Sequence, residues 1–123
     1  MSVDTAIAGT VSEYLRAWNV TDPAERVELL SRVATDDVRY VDPLADVTGP
    51  AALSALIGQA QAQFAGMPLT LHGTPDAHHD VVRFSWAIAP EGAEPIVIGT
   101  DSVLLAPDGR FALVTGYLDR VPG

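Results

Sequence analysis

The sequence predicts an α+β layer fold in which helices cover one side of a strongly curved antiparallel sheet. Three observations carry this. Apolar residues recur at helical spacing through the first half, the second half changes to runs of apolar and β-branched residues, and the turn-forming clusters GTPDA, PEGAE and PDG divide those runs into a meander. At 123 residues the chain is read as one domain, residues 1–123, long enough to bury roughly two-thirds of the surface its unfolded form exposes.

The first helix follows from Val3, Ile7, Val11, Tyr14, Leu15 and Trp18, which form one apolar stripe at spacings of three and four. The second begins at TDPAE, where Asp22 caps, Pro23 suits the first helical position and Glu25 completes a capping box; Val27, Leu30 and Val33 form its buried side. VRYVDP reads as a short strand with Val38, Tyr40 and Asp42 on one face, stopped by Pro43. GPAALSALIGQAQAQFAG is a third helix, with Leu53, Leu56, Ile57, Ala60 and Phe64 on its face and Gly66 as its stop. The strands MPLTLH, HHDVVRFSWAIA, PIVIGTDSVLLA and RFALVTGYLD follow.

Composition narrows the function classes. A net charge of −9, from 16 acids against 7 bases, repels phosphate backbones and anionic lipid and so argues against nucleic acid and membrane as partners. With no cysteine there is no thiolate chemistry, and the natural home is a reducing compartment, the cytoplasm. The N-terminus lacks a basic segment followed by a long apolar core, so no signal peptide is expected, and no apolar run approaches the ~20 residues of a membrane span. A neutral, apolar small molecule is the expected partner.

One strand stands apart. In IVIGTDSVLL, Asp101 sits among residues that read as buried on both faces. An ionised carboxylate there loses its hydration with no counter-charge in view, so it must find strong donors or become neutral. Val97, Gly99, Asp101, Val103 and Leu105 share a face with Ala112, Val114, Gly116 and Leu118 across the PDG hairpin. Two glycines beside one acid describe a pocket wall. The outer face would hold Ile96, Ile98, Thr100, Ser102 and Leu104 with Phe111, Leu113 and Tyr117, an apolar patch that predicts a homodimer.

Three segments, TDDVRYVDPLADVTGPAAL, RFSWAIA and IGTDSVLLAPDGRFALVTGYLD, carry a resemblance over nearly the whole chain to the superfamily of nuclear transport factor 2 and ketosteroid isomerase, in particular its SnoaL-like, polyketide-cyclase-like branch. That resemblance implies a cystatin-like cone: three N-terminal helices packed on a strongly curved antiparallel sheet around a deep apolar cavity, commonly paired through the sheet. It further implies a cofactor-independent enzyme that moves a proton next to a carbonyl. Asp42 would be the general base, while a protonated Asp101 and Tyr14 would donate to the oxyanion. Trp18, Tyr40, Phe84, Trp86, Gly99, Val114, Gly116 and Leu118 would line the substrate cavity.

The residues also admit plainer readings. Asp42 before Pro43 is suited to capping a turn, Tyr14 to serving as a core aromatic, and Asp101 to pairing with Arg83, His72, His78 or His79. His78 and His79, adjacent in a strand, point to opposite faces and do not suggest a metal site. An Asp–Arg–Asp arrangement like that of related epoxide hydrolases would need Arg83 between Asp42 and Asp101, yet Arg83 shares a face with Val81, Ser85 and Ala87, away from Val82, Phe84, Trp86 and Ile88. A non-catalytic ligand-binding or dimerisation module is the alternative from another class.

Overall fold

Capping chemistry sets the helices. In the computed structural model, which describes residues 4–122, the Asp4 carboxylate accepts the Ile7 backbone N–H at 2.8 Å and opens α1, Thr5–Ala17. Val11, Tyr14, Leu15 and Ala17 form its buried side; Val3 lies outside the described residues. Asp22 accepts from the Glu25 N–H at 2.9 Å and starts α2, Pro23–Val33. The buried stripe of α2 is Arg26, Leu29, Leu30 and Val33, with Val27 only at its margin. This corrects the stripe expected from spacing alone, because a 3.6-residue period brings 26, 29, 30 and 33 together whatever their polarity. Helix α3, Pro50–Gln63, has Pro at its start and buries Leu53, Ser54 and Ile57.

Strand β1, Ala34–Asp42, follows α2 directly and turns into β2, Ala45–Thr48, a strand whose four residues are too few to announce it in the sequence. Strands β3 (Leu69–His78), β4 (Val81–Ile88), β5 (Val97–Leu105) and β6 (Phe111–Arg120) complete a six-stranded, open, curved sheet in the order β2-β1-β6-β5-β4-β3. The meander β3 to β6 is antiparallel as expected, but β1 pairs parallel with β6, so the sheet is mixed.

Two further differences have local causes. GTPDA is not a turn: β3 runs through it with a slip of register between His72 and Asp76, where Gly73 adopts a φ of 83°. Such an irregularity bends a strand and strengthens its twist. The reversal comes later, after His78, with His79 at a φ of 52°. At the other end of the sheet, a slip between Leu104 and Leu105 sets Leu105 opposite Phe111 and turns Phe111 into the core instead of the outer face.

All three helices pack on the concave side, where Tyr14, Leu29, Leu30, Leu53 and Ile57 meet Val38, Phe84, Val103, Phe111 and Val114 in one core. The convex face is more mixed than the sequence suggests. Leu104 and Tyr117 are exposed there, separated by a row containing Arg83, Ser102 and Thr115. No helix among the described residues is long and apolar enough to cross a membrane.

Candidate active site

The register places two acids in one row. Asp101 on β5 faces Gly116 on β6 and Phe84 on β4. One step past the pair Val41↔Thr115, Asp42 on β1 comes level with Gly116 from the other side. A Cβ added at Gly116 would lie 3.1 Å from Asp101 Oδ1, 3.4 Å from Asp42 Cβ and 3.5 Å from Tyr40 Oη. The absent side chain is what lets both carboxyls and the phenol crowd one point.

Each polar group has a different set of partners. Asp101 is 2% exposed, and its Oδ1 accepts the Trp86 indole N–H at 3.0 Å, while Oδ2 has no partner among the described residues. Burial pushes its carboxyl up to about 7; the Trp86 N–H opposes this and the charge of Asp42 adds to it. Among the described residues no cation offsets Asp101. Arg83 is exposed on the convex face and lies 3.8 Å from Asp76, and no ion pair joins Asp101 to His72, His78 or His79, so the paired structural acid is not what this fold builds. The Asp–Arg–Asp arrangement is absent for the same reason.

Asp42 sits at the end of β1 and holds two jobs. Its Oδ1 accepts the backbone N–H groups of Leu44 and Ala45 at 2.8 and 2.9 Å, capping the β1–β2 turn, and its Oδ2 accepts the Tyr40 hydroxyl at 2.8 Å. Burial raises the Tyr40 phenol well above its ordinary range, with the nearby Tyr14, Asp101 and Asp42 adding to it, so it stays a donor. Tyr14 is fully buried, packed edge-on to Phe84 at 6.1 Å and tilted on Phe111 at 5.1 Å. Its hydroxyl makes no well-formed hydrogen bond among the described residues, although the Trp18 side chain stands close enough to favour its charged form. Burial, and then the charge at Asp101, hold it protonated.

A cavity of about 380 Å³ opens beside this row. Of the residues expected to line it, Trp18, Tyr40, Asp42, Trp86, Gly116 and Leu118 do so. Tyr14, Phe84, Asp101, Gly99 and Val114 lie one layer behind its wall. The close approach that the glycine at 99 permits is made by Trp86, whose ring lies on it. Sequence reasoning missed Gln59 and Gln63, two exposed amides one helical turn apart at the mouth. Their only signal was a place beside the apolar face of α3. A second cleft of about 430 Å³ shares Trp18, Phe64, Leu69 and Ile88 with the first and continues past Asn19 and Met67. Among the described residues no group of three His, Asp or Glu side chains is placed to hold a metal ion.

An open curved sheet backed by three helices, with Asp42 on the wall of the hollow and Asp101 behind it, defines an NTF2-like, cystatin-like fold. The chain is 36% identical to a provisionally assigned isomerase of the SnoaL-like family from Agrobacterium tumefaciens, over 94% of this chain and 99% of that one, with a TM-score of 0.87. It therefore belongs to the SnoaL-like family. More distant structures share the fold: a SnoaL-like protein of unknown function from Burkholderia thailandensis is 17% identical over 94% of this chain and 98% of that one, at a TM-score of 0.70. A protein from Catenulispora acidiphila with a ketosteroid isomerase-like fold is 20% identical over 88% of this chain and 83% of that one, at 0.69. No family model and no curated protein matches the chain.

Proposed function

We propose that this protein is a cofactor-independent enzyme of isomerase or cyclase type that transfers a proton next to a carbonyl of an uncharged, largely apolar molecule. The observation that carries this reading is the row Asp42–Gly116–Asp101, in which two carboxyls in unequal surroundings flank a side-chain-free position on the cavity wall. Asp42 lines the cavity and accepts from three donors, as a carboxylate does, which suits it to take a proton from carbon. Asp101, kept neutral by burial, and Tyr14, with a hydroxyl left over, supply donors for the oxygen on which charge develops. Aromatic and aliphatic walls and the lack of a lining cation favour an uncharged ligand.

A second reading has one observation behind it. Tyr14 and Asp101 stand behind the wall, so a module that only binds apolar ligands would use the same cavity and never reach them.

Calorimetric titration with planar phenols separates the two, since a phenolate resembles an enolate in shape and charge. Asp42→Asn should hold or raise phenol affinity, because it removes a nearby negative charge. Asp101→Ala and Tyr14→Phe should lower it by roughly 1–3 kcal/mol, about 5- to 150-fold. Equal behaviour of all three variants, or no phenol binding at all, would remove the enzymatic reading.

A further inference from the structure

Trp86 does more than wall the cavity. It stands directly across from Gly99 in the β4–β5 ladder, with Asp101 two residues further along the same face of β5. A Cβ added at Gly99 would come within 2.2 Å of Trp86 Cζ2, 2.5 Å of Cε2 and 2.8 Å of Cη2. Any side chain at 99 would therefore lift the indole away. With the ring flat on the glycine, its Nε1 reaches Asp101 Oδ1 at 3.0 Å.

An indole N–H only donates, so the oxygen it meets has to accept. A neutral carboxyl whose Oδ1 is occupied in this way carries its hydrogen on Oδ2, the oxygen with no partner among the described residues. We infer that Trp86 is a positioning residue for Asp101: its N–H, seated by Gly99, occupies Oδ1 and directs the acid's own O–H outward through Oδ2. The groups facing Asp101 leave that assignment to Trp86. Phe84 on β4 and Gly116 on β6 offer no side-chain donor, Asp42 accepts only, Tyr40 is committed to Asp42, and the Tyr14 hydroxyl, although protonated, makes no hydrogen bond to Asp101. Without the indole N–H the two oxygens would compete for the hydrogen, and the donor direction would be divided between them. The role in turnover rests on the reading of Asp101 as an oxyanion donor, whereas the placement of the hydrogen rests on the Trp86–Asp101 contact and on the burial that keeps the carboxyl neutral.

Infrared spectroscopy tests the placement without any substrate. In protein carrying isotope-labelled aspartate carboxyls, the protonated-carboxyl band lost in Asp101→Asn belongs to Asp101. Trp86→Phe keeps a ring over Gly99 but has no N–H, and Gly99→Ala displaces the indole. Both should shift the C=O band to higher frequency, because the carbonyl oxygen loses its donor. In Trp86→Phe the pH at which the band disappears should also rise, because an N–H that favours the carboxylate is gone. Should Gly99→Ala fail to fold, Trp86→Phe still decides. A folded Trp86→Phe protein with unchanged band and unchanged midpoint would overturn the inference.

Phenol titration of the same variant distinguishes this from the proposed function. A fall in affinity of about three- to tenfold accompanying the band shift supports both. A band shift with unaltered affinity upholds the placement and overturns only the oxyanion role.

Discussion

Arg26 and Asp101 are buried to the same degree, 4% and 2% exposed, and neither meets an opposite charge among the described residues. Around Arg26, however, the fold supplies acceptors. Its Nε donates to Ser54 Oγ, and its Nη1 donates to Val20 O and Gln61 Oε1, each at 2.9 Å. Gln61 then donates to Trp18 O and Val20 O at 2.9 and 2.8 Å, closing a network that ties the α1–α2 connection to α3. Among the described residues Asp101 receives one N–H and nothing else, beside a Tyr14 hydroxyl with no well-formed hydrogen bond.

The chemistry of the two groups explains the asymmetry. A guanidinium cannot shed its proton, so burying it obliges the protein to satisfy its donors. A carboxyl escapes its charge by keeping a proton, and so tolerates an incomplete set of partners. Three hydrogen bonds into neighbouring elements mark Arg26 as scaffold, while the single one at Asp101 leaves it free for the role proposed above.

The comparison is broken most strongly through pH. Burial holds the Asp101 carboxyl at about 7 in the fold, against an ordinary value of 3.8. Between those values the unfolded chain has lost its proton and the folded one has not, so stability falls as pH rises through that window and is flat above it. The whole effect is about 4 kcal/mol for the group alone. Urea unfolding from pH 4 to 8 should show this as the difference between wild type and Asp101→Asn, with the variant the more stable at pH 8. A difference that runs the other way would mean an ionised, well-solvated Asp101.

Next in size is Arg26→Met, which keeps the aliphatic stem but strands Ser54 Oγ, Gln61 Oε1 and Val20 O. A loss of about 3 kcal/mol is expected, independent of pH between 5 and 8. Arg26→Lys should recover only part of it, because one ammonium cannot reproduce the fork that reaches all three acceptors. Unchanged denaturation midpoints in both variants would show that the network contributes nothing.

The smallest effect sharpens the contrast from the other side. Tyr14→Phe deletes a buried hydroxyl that makes no well-formed hydrogen bond among the described residues, so the free protein should gain about 1 kcal/mol, even as phenol affinity falls. A clear loss of stability would reveal a hydrogen bond within the fold and make Tyr14 scaffold, like Arg26.

Local chemistry, read along the chain, was enough for much of this protein. Capping at Asp22, the proline starts of α2 and α3, the alternation that sets Val38, Tyr40 and Asp42 on one face, and the burial of Asp101 among valines and leucines all depend on residues a few positions apart. The shared face of Asp101, Gly116, Val103 and Val114 was legible too, because a hairpin and a period of two propagate register over a short distance. Only the tertiary structure decided what is held by contact between distant segments. The parallel pairing of β1 with β6 brings Asp42 level with Gly116, and one slip of register turns Phe111 inward. Arg26 finds its acceptors on α3 and in the α1–α2 connection, and the indole of Trp86 takes the space that Gly99 leaves open. Periodicity states which face a residue occupies; which oxygen an indole N–H reaches from that face is settled only when two strands are packed side by side, since it depends on distances that neither strand encodes alone.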